Sequence, residues 1–195
     1  MTSSDAQRVR LFPRALGTAA AATIGAVLDR FPSHLIAQLV ECGTKIVPLT
    51  SKERYADVSR ALRRLGVDVD AWPVAPAGLF VVEERSLYLR STSLMTVAHE
   101  LGHALDCALG GGVYRSGFDP AIRRAFSRAR DFVTPYAACG LDEYFAEGVR
   151  AFCGMNDDES PWPPATRERL EMIDAELHAI LAEIFTAPVS KAMSC

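Results

Sequence analysis

Residues 92–109, TSLMTVAHELGHALDCAL, constrain this chain more than any other stretch. Val97, Ala98, Leu101, Ala104 and Leu105 recur at helical spacing, so the segment reads as a helix with apolar surroundings. Into that helix the sequence sets His99, Glu100 and His103. Two histidines four residues apart stand one above the other on a single helical face. That spacing lets two imidazole nitrogens grip one zinc ion. The glutamate between them points beside the metal, where it can take a proton from a metal-bound water. Only three positions define the pattern, so it needs a third ligand and a substrate surface from elsewhere in the chain.

The 195 residues, 49% of them hydrophobic, suffice for one domain with a buried core. A net charge of −3 and the lack of a basic patch interleaved with aromatics argue against a nucleic-acid partner. Arg123, Arg124, Arg128 and Arg130 cluster, but on a segment that reads as a solvated helix. The five cysteines (Cys42, Cys107, Cys139, Cys153, Cys195) form no CxxC pair and no disulfide framework. Most of them read as buried small hydrophobes, and they lean towards a reducing compartment. Cys107, one turn beyond His103, packs or lies near the metal. At the N-terminus, Arg8, Arg10 and Arg14 precede the apolar run 15–28, which superficially resembles a signal peptide. It has no leucine-rich centre and no convincing cleavage site, so the sequence by itself points to the cytoplasm. No stretch reaches membrane-spanning length.

Along the chain, residues 1–14 read as a mobile arm and residues 15–29 as a helix. Ser33 is placed to cap a second helix ending at Gly43. His34 reads as a surface or capping residue. A short strand follows at 45–49. Ser51 is expected to cap a third helix, with Val58, Leu62 and Leu65 on one face and Gly66 as its stop. Trp72 either shapes a subsite or packs in the core. Residues 78–82 and 86–90 alternate and are joined by Glu83-Glu84-Arg85, a hairpin signal. Because the second run stands just before the metal helix, Ser86, Leu87, Tyr88, Leu89 and Arg90 are expected to form an edge strand. Such a strand can pair with an extended substrate backbone. The three glycines 110–112 end the metal helix, with a flexible loop to Gly117. Asp119-Pro120 then starts a helix to about Phe132. Asp106 either faces the site or bonds nearby backbone. A last helix, about 167–185, carries Leu170, Ile173, Leu177, Leu181 and Ile184 on one stripe, with His178 in a structural or surface role.

Glu143 and Glu147 lie four apart on a segment rich in Tyr144, Phe145, Ala146, Val149 and Phe152. Carboxylates on so apolar a helix are costly to bury unless paired or bound to a metal. Glu143 serves as the third zinc ligand, and Glu147 as the partner that orients a ligand histidine. The alternative is that one or both decorate a solvent face.

The runs GLFVVEERSLYLR, MTVAHELGHALD and TPYAACGLDEYFAEGVRAF resemble the catalytic domain of anthrax lethal factor and its relatives, among them the small secreted Pro-Pro endopeptidases of clostridia. The resemblance covers residues 78–154. It implies an α+β, zincin-like metallopeptidase domain, mostly helical, with a small mixed sheet whose edge strand borders the active-site helix. Residues 15–190 would form that single catalytic domain, divided into an N-terminal lobe (15–77) and a metal-binding lobe (78–190). One Zn2+ per chain is implied, held by His99, His103 and Glu143 and supported by Glu147. Tyr136, seven residues before the third ligand, is implied as the oxyanion donor. The implied activity is zinc-dependent endopeptidase action on a peptide or protein, with Glu100 as general base. A catalytically silent zincin that binds a peptide or partner is the alternative. Resemblance to secreted enzymes pulls localisation towards export. The stretch 110–132 and the loop Pro161 to Pro164 depart from the family, so substrate preference does not carry over.

Overall fold

Proline and glycine divide the chain into short elements, and side chains from distant segments cap them. The computed structural model describes residues 10–11, 19–160 and 162–187. Its helices are α1 (Ala19–Leu28), α2 (Ser33–Glu41), α3 (Tyr55–Val58), α4 (Arg60–Leu65), α5 (Leu94–Leu109), α6 (Pro120–Arg128), α7 (Leu141–Cys153), α8 (Arg167–Ile173) and α9 (Ala175–Thr186). Its strands are β1 (Lys45–Pro48), β2 (Gly78–Val81) and β3 (Ser86–Leu89). Residues 15–18 of the expected first helix, and all of the expected arm except Arg10 and Leu11, lie outside the described residues. Leu11 is fully buried in the core.

The fold is α+β, mostly helical, with one small mixed sheet in the order β1-β3-β2. β2 and β3 form the expected hairpin, with Gly78 opposite Leu89 and Val81 opposite Ser86. The tight connection needs a left-handed residue, supplied by Arg85 at φ 50°. β1 runs parallel to β3 on its other side. Strand 86–89 is therefore central and not the edge. Ser86, Leu87, Tyr88 and Leu89 are buried, and their strand is flanked on both sides. Arg90 lies past its end, ion-paired to Asp70. The edge strands are β1 and β2, and β2 is the edge that borders α5.

α5 is the centre of the molecule, buried along almost its whole length from Val97 to Ala108. α1, α2, the sheet and α7 all pack on it. One apolar cluster joins them, from Leu11 and Ile24 through Leu101 and Phe145 to Ile184. A smaller one, around Tyr55, Leu62, Val69 and Tyr88, fills the far side of the sheet.

Four helix boundaries differ from those expected. Ser33 is the first residue of α2 and makes no capping bond; Pro32 holds the cap position. The third helix does not start at Ser51 and breaks at Ser59, because Glu84 from the hairpin accepts Ser59 Oγ, Arg60 N and Ala61 N. These bonds satisfy orphan donors of a new helix start, and Ser59 Oγ also accepts Leu62 N. As a result Leu65 faces solvent. α6 starts at Asp119-Pro120 as expected but stops at Arg128. Phe132 then turns back onto Phe126 and Tyr144. The last helix divides at Asp174, whose carboxylate accepts the buried Tyr144 hydroxyl and caps α9 by accepting Leu177 N. No described helix is long and apolar enough to cross a membrane.

α5 and α7 meet at Gly102. A Cβ there would lie 2.7 Å from Ala146 Cα and 3.0 Å from Ala146 O, so only glycine permits this approach. Gly102→Ala is expected to destabilise the fold by about 1–3 kcal/mol through overpacking. Alanine's better helix propensity, about 1 kcal/mol, works the other way. Denaturant unfolding checks the sign; a net stabilisation would show that the contact is slack.

Candidate metal centre

Ser93 caps α5 by accepting Thr96 N, and Asp157, from beyond α7, accepts Met95 N. The helix start is thus tied to two segments. One turn further on, His99 and His103 face α7. Through the close contact at Gly102, α7 brings Glu143 within reach of both. His99 Nε2 lies 3.1 Å from His103 Nε2 and 3.1 Å from Glu143 Oε2. His103 Nε2 lies 3.4 Å from that oxygen. Ligands at about 2.0–2.1 Å from a tetrahedral zinc are separated by about 3.3–3.4 Å. The three atoms already stand close to that triangle. Glu143 Oε2 is buried and accepts no well-formed hydrogen bond from the described residues. Such an oxygen is costly without a cation. These three residues therefore fit a metal ion and can hold one.

Glu147 stands behind them. Its carboxylate accepts His99 Nδ1 at 2.8 Å, Thr134 Oγ1 at 2.5 Å, Arg150 Nε at 2.9 Å and Arg150 Nη2 at 2.8 Å. Donation from Nδ1 leaves the Nε2 lone pair of His99 directed at the triangle. Burial alone would raise Glu147, but His99 and Arg150 outweigh it and hold the carboxyl far below its usual range. Glu143 falls to about 2 in the same way, burial being outweighed by the two imidazoles. Burial would lower His99, yet Glu143 and Glu147 push it up. Three carboxylates (Glu100, Glu143 and Glu147) thus meet one guanidinium, an anionic excess that a cation would offset.

Glu100 points to the other side, towards β2, and is buried. A Cβ on Gly78 would stand 2.6 Å from Glu100 Cγ. Burial raises the Glu100 carboxyl, with His99 and His103 offsetting part of the rise. Tyr136 sits on a short 3-10 turn (Pro135–Cys139), which Thr134 caps by accepting Ala137 N. Its hydroxyl donates to Glu143 Oε1 at 3.0 Å, and its ring lies 5.4 Å from that of His99. A cavity of about 330 Å³ opens here, with Gly78, His99, Glu100 and Tyr136 in its wall.

All six expected site residues from α5, the turn and α7 are thus brought together. Sequence reading missed four more. Arg150, three residues after Glu147 on an apolar helix, is a buried cation needing an anion. Thr134 precedes a proline, as a cap does. Gly78 opens a strand, a sign of close approach. Tyr114 stacks on His103 at 5.7 Å and carried no local signal. Asp106 does not face the site; it accepts Ser116 N and Oγ and so anchors the loop after α5. Cys107 is buried in the core. His34 bonds the Ile184 carbonyl, and His178 contacts Phe152 and Arg167. Trp72 is exposed and not a core residue. Pro161 lies outside the described residues, while Trp162 lines the cavity.

No protein-family model matches the chain, and no curated protein matches it in sequence. Among solved structures, the fold is similar to that of the Pro-Pro endopeptidase PPEP-2 from Paenibacillus alvei, with a TM-score of 0.66. The two chains are 20% identical, over 92% of this chain and all of the other. At that identity the likeness is one of fold: an α+β architecture, mostly helical with one small mixed sheet.

Two outcomes are expected. Glu143→Gln should abolish stoichiometric zinc uptake, whereas Glu147→Gln should weaken it by about 10- to 100-fold. Metal analysis after dialysis separates them, and the reverse ranking would exchange their roles. Burial lifts Asp106 to about 6 from 3.8, against the Ser116 bonds that favour its charged form. The folded state then binds the extra proton between those values, so stability contributed by Asp106 falls as pH rises through that window. Relative to Asp106→Asn, the wild type should lose on the order of 3 kcal/mol between about pH 4 and pH 6. Parallel pH-dependent unfolding curves would contradict this.

Proposed function

We propose that this protein is a zinc-dependent endopeptidase. The observation that carries the proposal is the triangle of His99 Nε2, His103 Nε2 and Glu143 Oε2, set between a buried carboxylate and a half-exposed tyrosine at an open cavity. The fold shared with a Pro-Pro endopeptidase supports it. Bound zinc would lower the pKa of a water to about 7 and polarise a carbonyl.

The chain's own residues supply the rest. Glu147 fixes the His99 ring, and Arg150 and Thr134 fix Glu147. Glu100, raised by burial, takes the proton from the attacking water at its carboxylate. It then delivers that proton to the leaving amine. The Tyr136 hydroxyl, on Glu143 Oε1 in this structure, turns to donate to the carbonyl oxygen as negative charge develops there. A peptide substrate lies extended along the unpaired edge of β2, whose Gly78 admits Glu100 beside it.

Cleavage of a degenerate peptide library by the zinc-loaded protein tests this. Glu100→Gln should retain one zinc and lose about 100- to 10,000-fold in rate. Tyr136→Phe should also retain zinc and lose about 100- to 1,000-fold. Undiminished hydrolysis by Glu100→Gln would remove it from its role. A zinc-loaded wild type that binds peptides and cuts none would instead be a silent peptide-binding zincin.

A further inference from the structure

The chain beyond α7 returns to the metal centre through a continuous set of hydrogen bonds. Arg150, clamped on Glu147, also donates Nη1 to Met155 O and to Asn156 Oδ1. Asn156 in turn accepts Ala165 N and donates to Ala165 O, so these two residues are tied together on either side of Trp162 in the chain. Asp157, the next residue, binds the start of α5 at Met95 N. The chain flanking Trp162 is therefore attached both to the carboxylate that orients His99 and to the helix that carries it.

Trp162, half-exposed, forms a wall of the cavity beside His99 and Glu100, together with Met95, Pro76 and Pro135. Those walls are apolar. Of the charged groups lining the same space, Glu147 holds four hydrogen bonds, Arg150 is shared among Glu147, Met155 and Asn156, and the Glu100 side chain is turned against Gly78 of β2. Neither Glu147 nor Arg150 is available to pair with a charged substrate side chain, and burying such a charge there unpaired is costly. The cavity, about 330 Å³, has room for one large side chain.

Building on the peptidase function proposed above, we infer that Trp162 is a specificity-determining residue: it selects a peptide with a bulky uncharged apolar side chain in this pocket and disfavours acidic or basic ones. The Arg150–Asn156–Ala165 bonds position the chain that presents it. Contact with the indole is the discriminating interaction, so binding reads it out without cleavage.

The test uses zinc-loaded Glu100→Gln protein carrying Trp72→Phe, which leaves Trp162 as the only indole. The probes are alanine-based peptides bearing one Phe, Leu, Asp or Lys. The Phe and Leu peptides should shift Trp162 emission and bind at least about ten-fold tighter than the Asp and Lys peptides. Trp162→Ala, followed by calorimetry, should erase that difference while zinc content stays the same, and Trp162→Phe should restore most of it. Equal affinity for apolar and charged peptides, or a preference that survives Trp162→Ala, would overturn the assignment. A wild type that shows the preference but cuts nothing would leave the selectivity standing and remove the peptidase function alone.

Discussion

The approach of α5 to α7 at Gly102 is the constraint on which the rest of this molecule depends. Two helices separated by a missing side chain place Glu143 opposite two histidines one turn apart. With ligand separations near 3.3 Å, there is little slack. Moving α7 outward by the width of a methyl group would carry the carboxylate out of the first sphere of a zinc ion. The apolar residues around the contact, Leu101, Leu105, Phe145 and Val149, are fully buried, so interior packing holds the spacing rigidly.

That rigidity sustains an arrangement of charge that would otherwise be unfavourable. Three carboxylates converge on two imidazoles and a guanidinium in a mostly buried volume. Arg150 neutralises Glu147, leaving Glu143 and Glu100 without a guanidinium partner. The division separates the roles. Glu147, with four donors, is kept ionised and fixed. Glu143, with one oxygen orphaned, is ready for a cation. Glu100, desolvated against β2 and held there by the Phe80 backbone, keeps a raised proton affinity, which suits the general base proposed for it. Two facing helices thus carry carboxylates of opposite tendency, Glu100 on α5 raised and Glu143 and Glu147 on α7 lowered, set apart by what each one faces.

Most of this site could be read from spacing. His99 and His103 at four residues, and Glu143 and Glu147 at four, sit on helices whose periodicity was plain, because buried helices leave a dense apolar record. Tyr136 came from resemblance, since a half-exposed tyrosine on a 3-10 turn has no periodic context to mark it. What escaped was set by contacts between distant segments. Ser59 breaks a helix because Glu84, twenty-five residues on, caps the second half. Asp174 divides another because Tyr144 claims its carboxylate. Local propensity favours continuing both helices, and tertiary hydrogen bonds override it.

The strand proposed to hold substrate is the instructive difference. Hairpin residues 78–89 were legible, and so was their position next to the metal helix. Which of the two strands lay at the edge was not, because β1 joins the sheet from thirty-odd residues upstream. Its parallel pairing with β3 depends on the path of α3 and α4 between them, and period-two alternation carries no information about that path. With β1 on one flank of β3 and β2 on the other, the edges are β1 and β2, and β2 is the one that packs on α5; Gly78 follows as a requirement, because that strand approaches Glu100 more closely than any side chain allows. An unpaired edge is ordinarily a liability for aggregation. Here it is short, four residues, and one of its ends abuts the cavity that Trp162 walls. The open backbone and the apolar pocket are therefore adjacent, so a single extended segment can pair with β2 and place one side chain against Trp162.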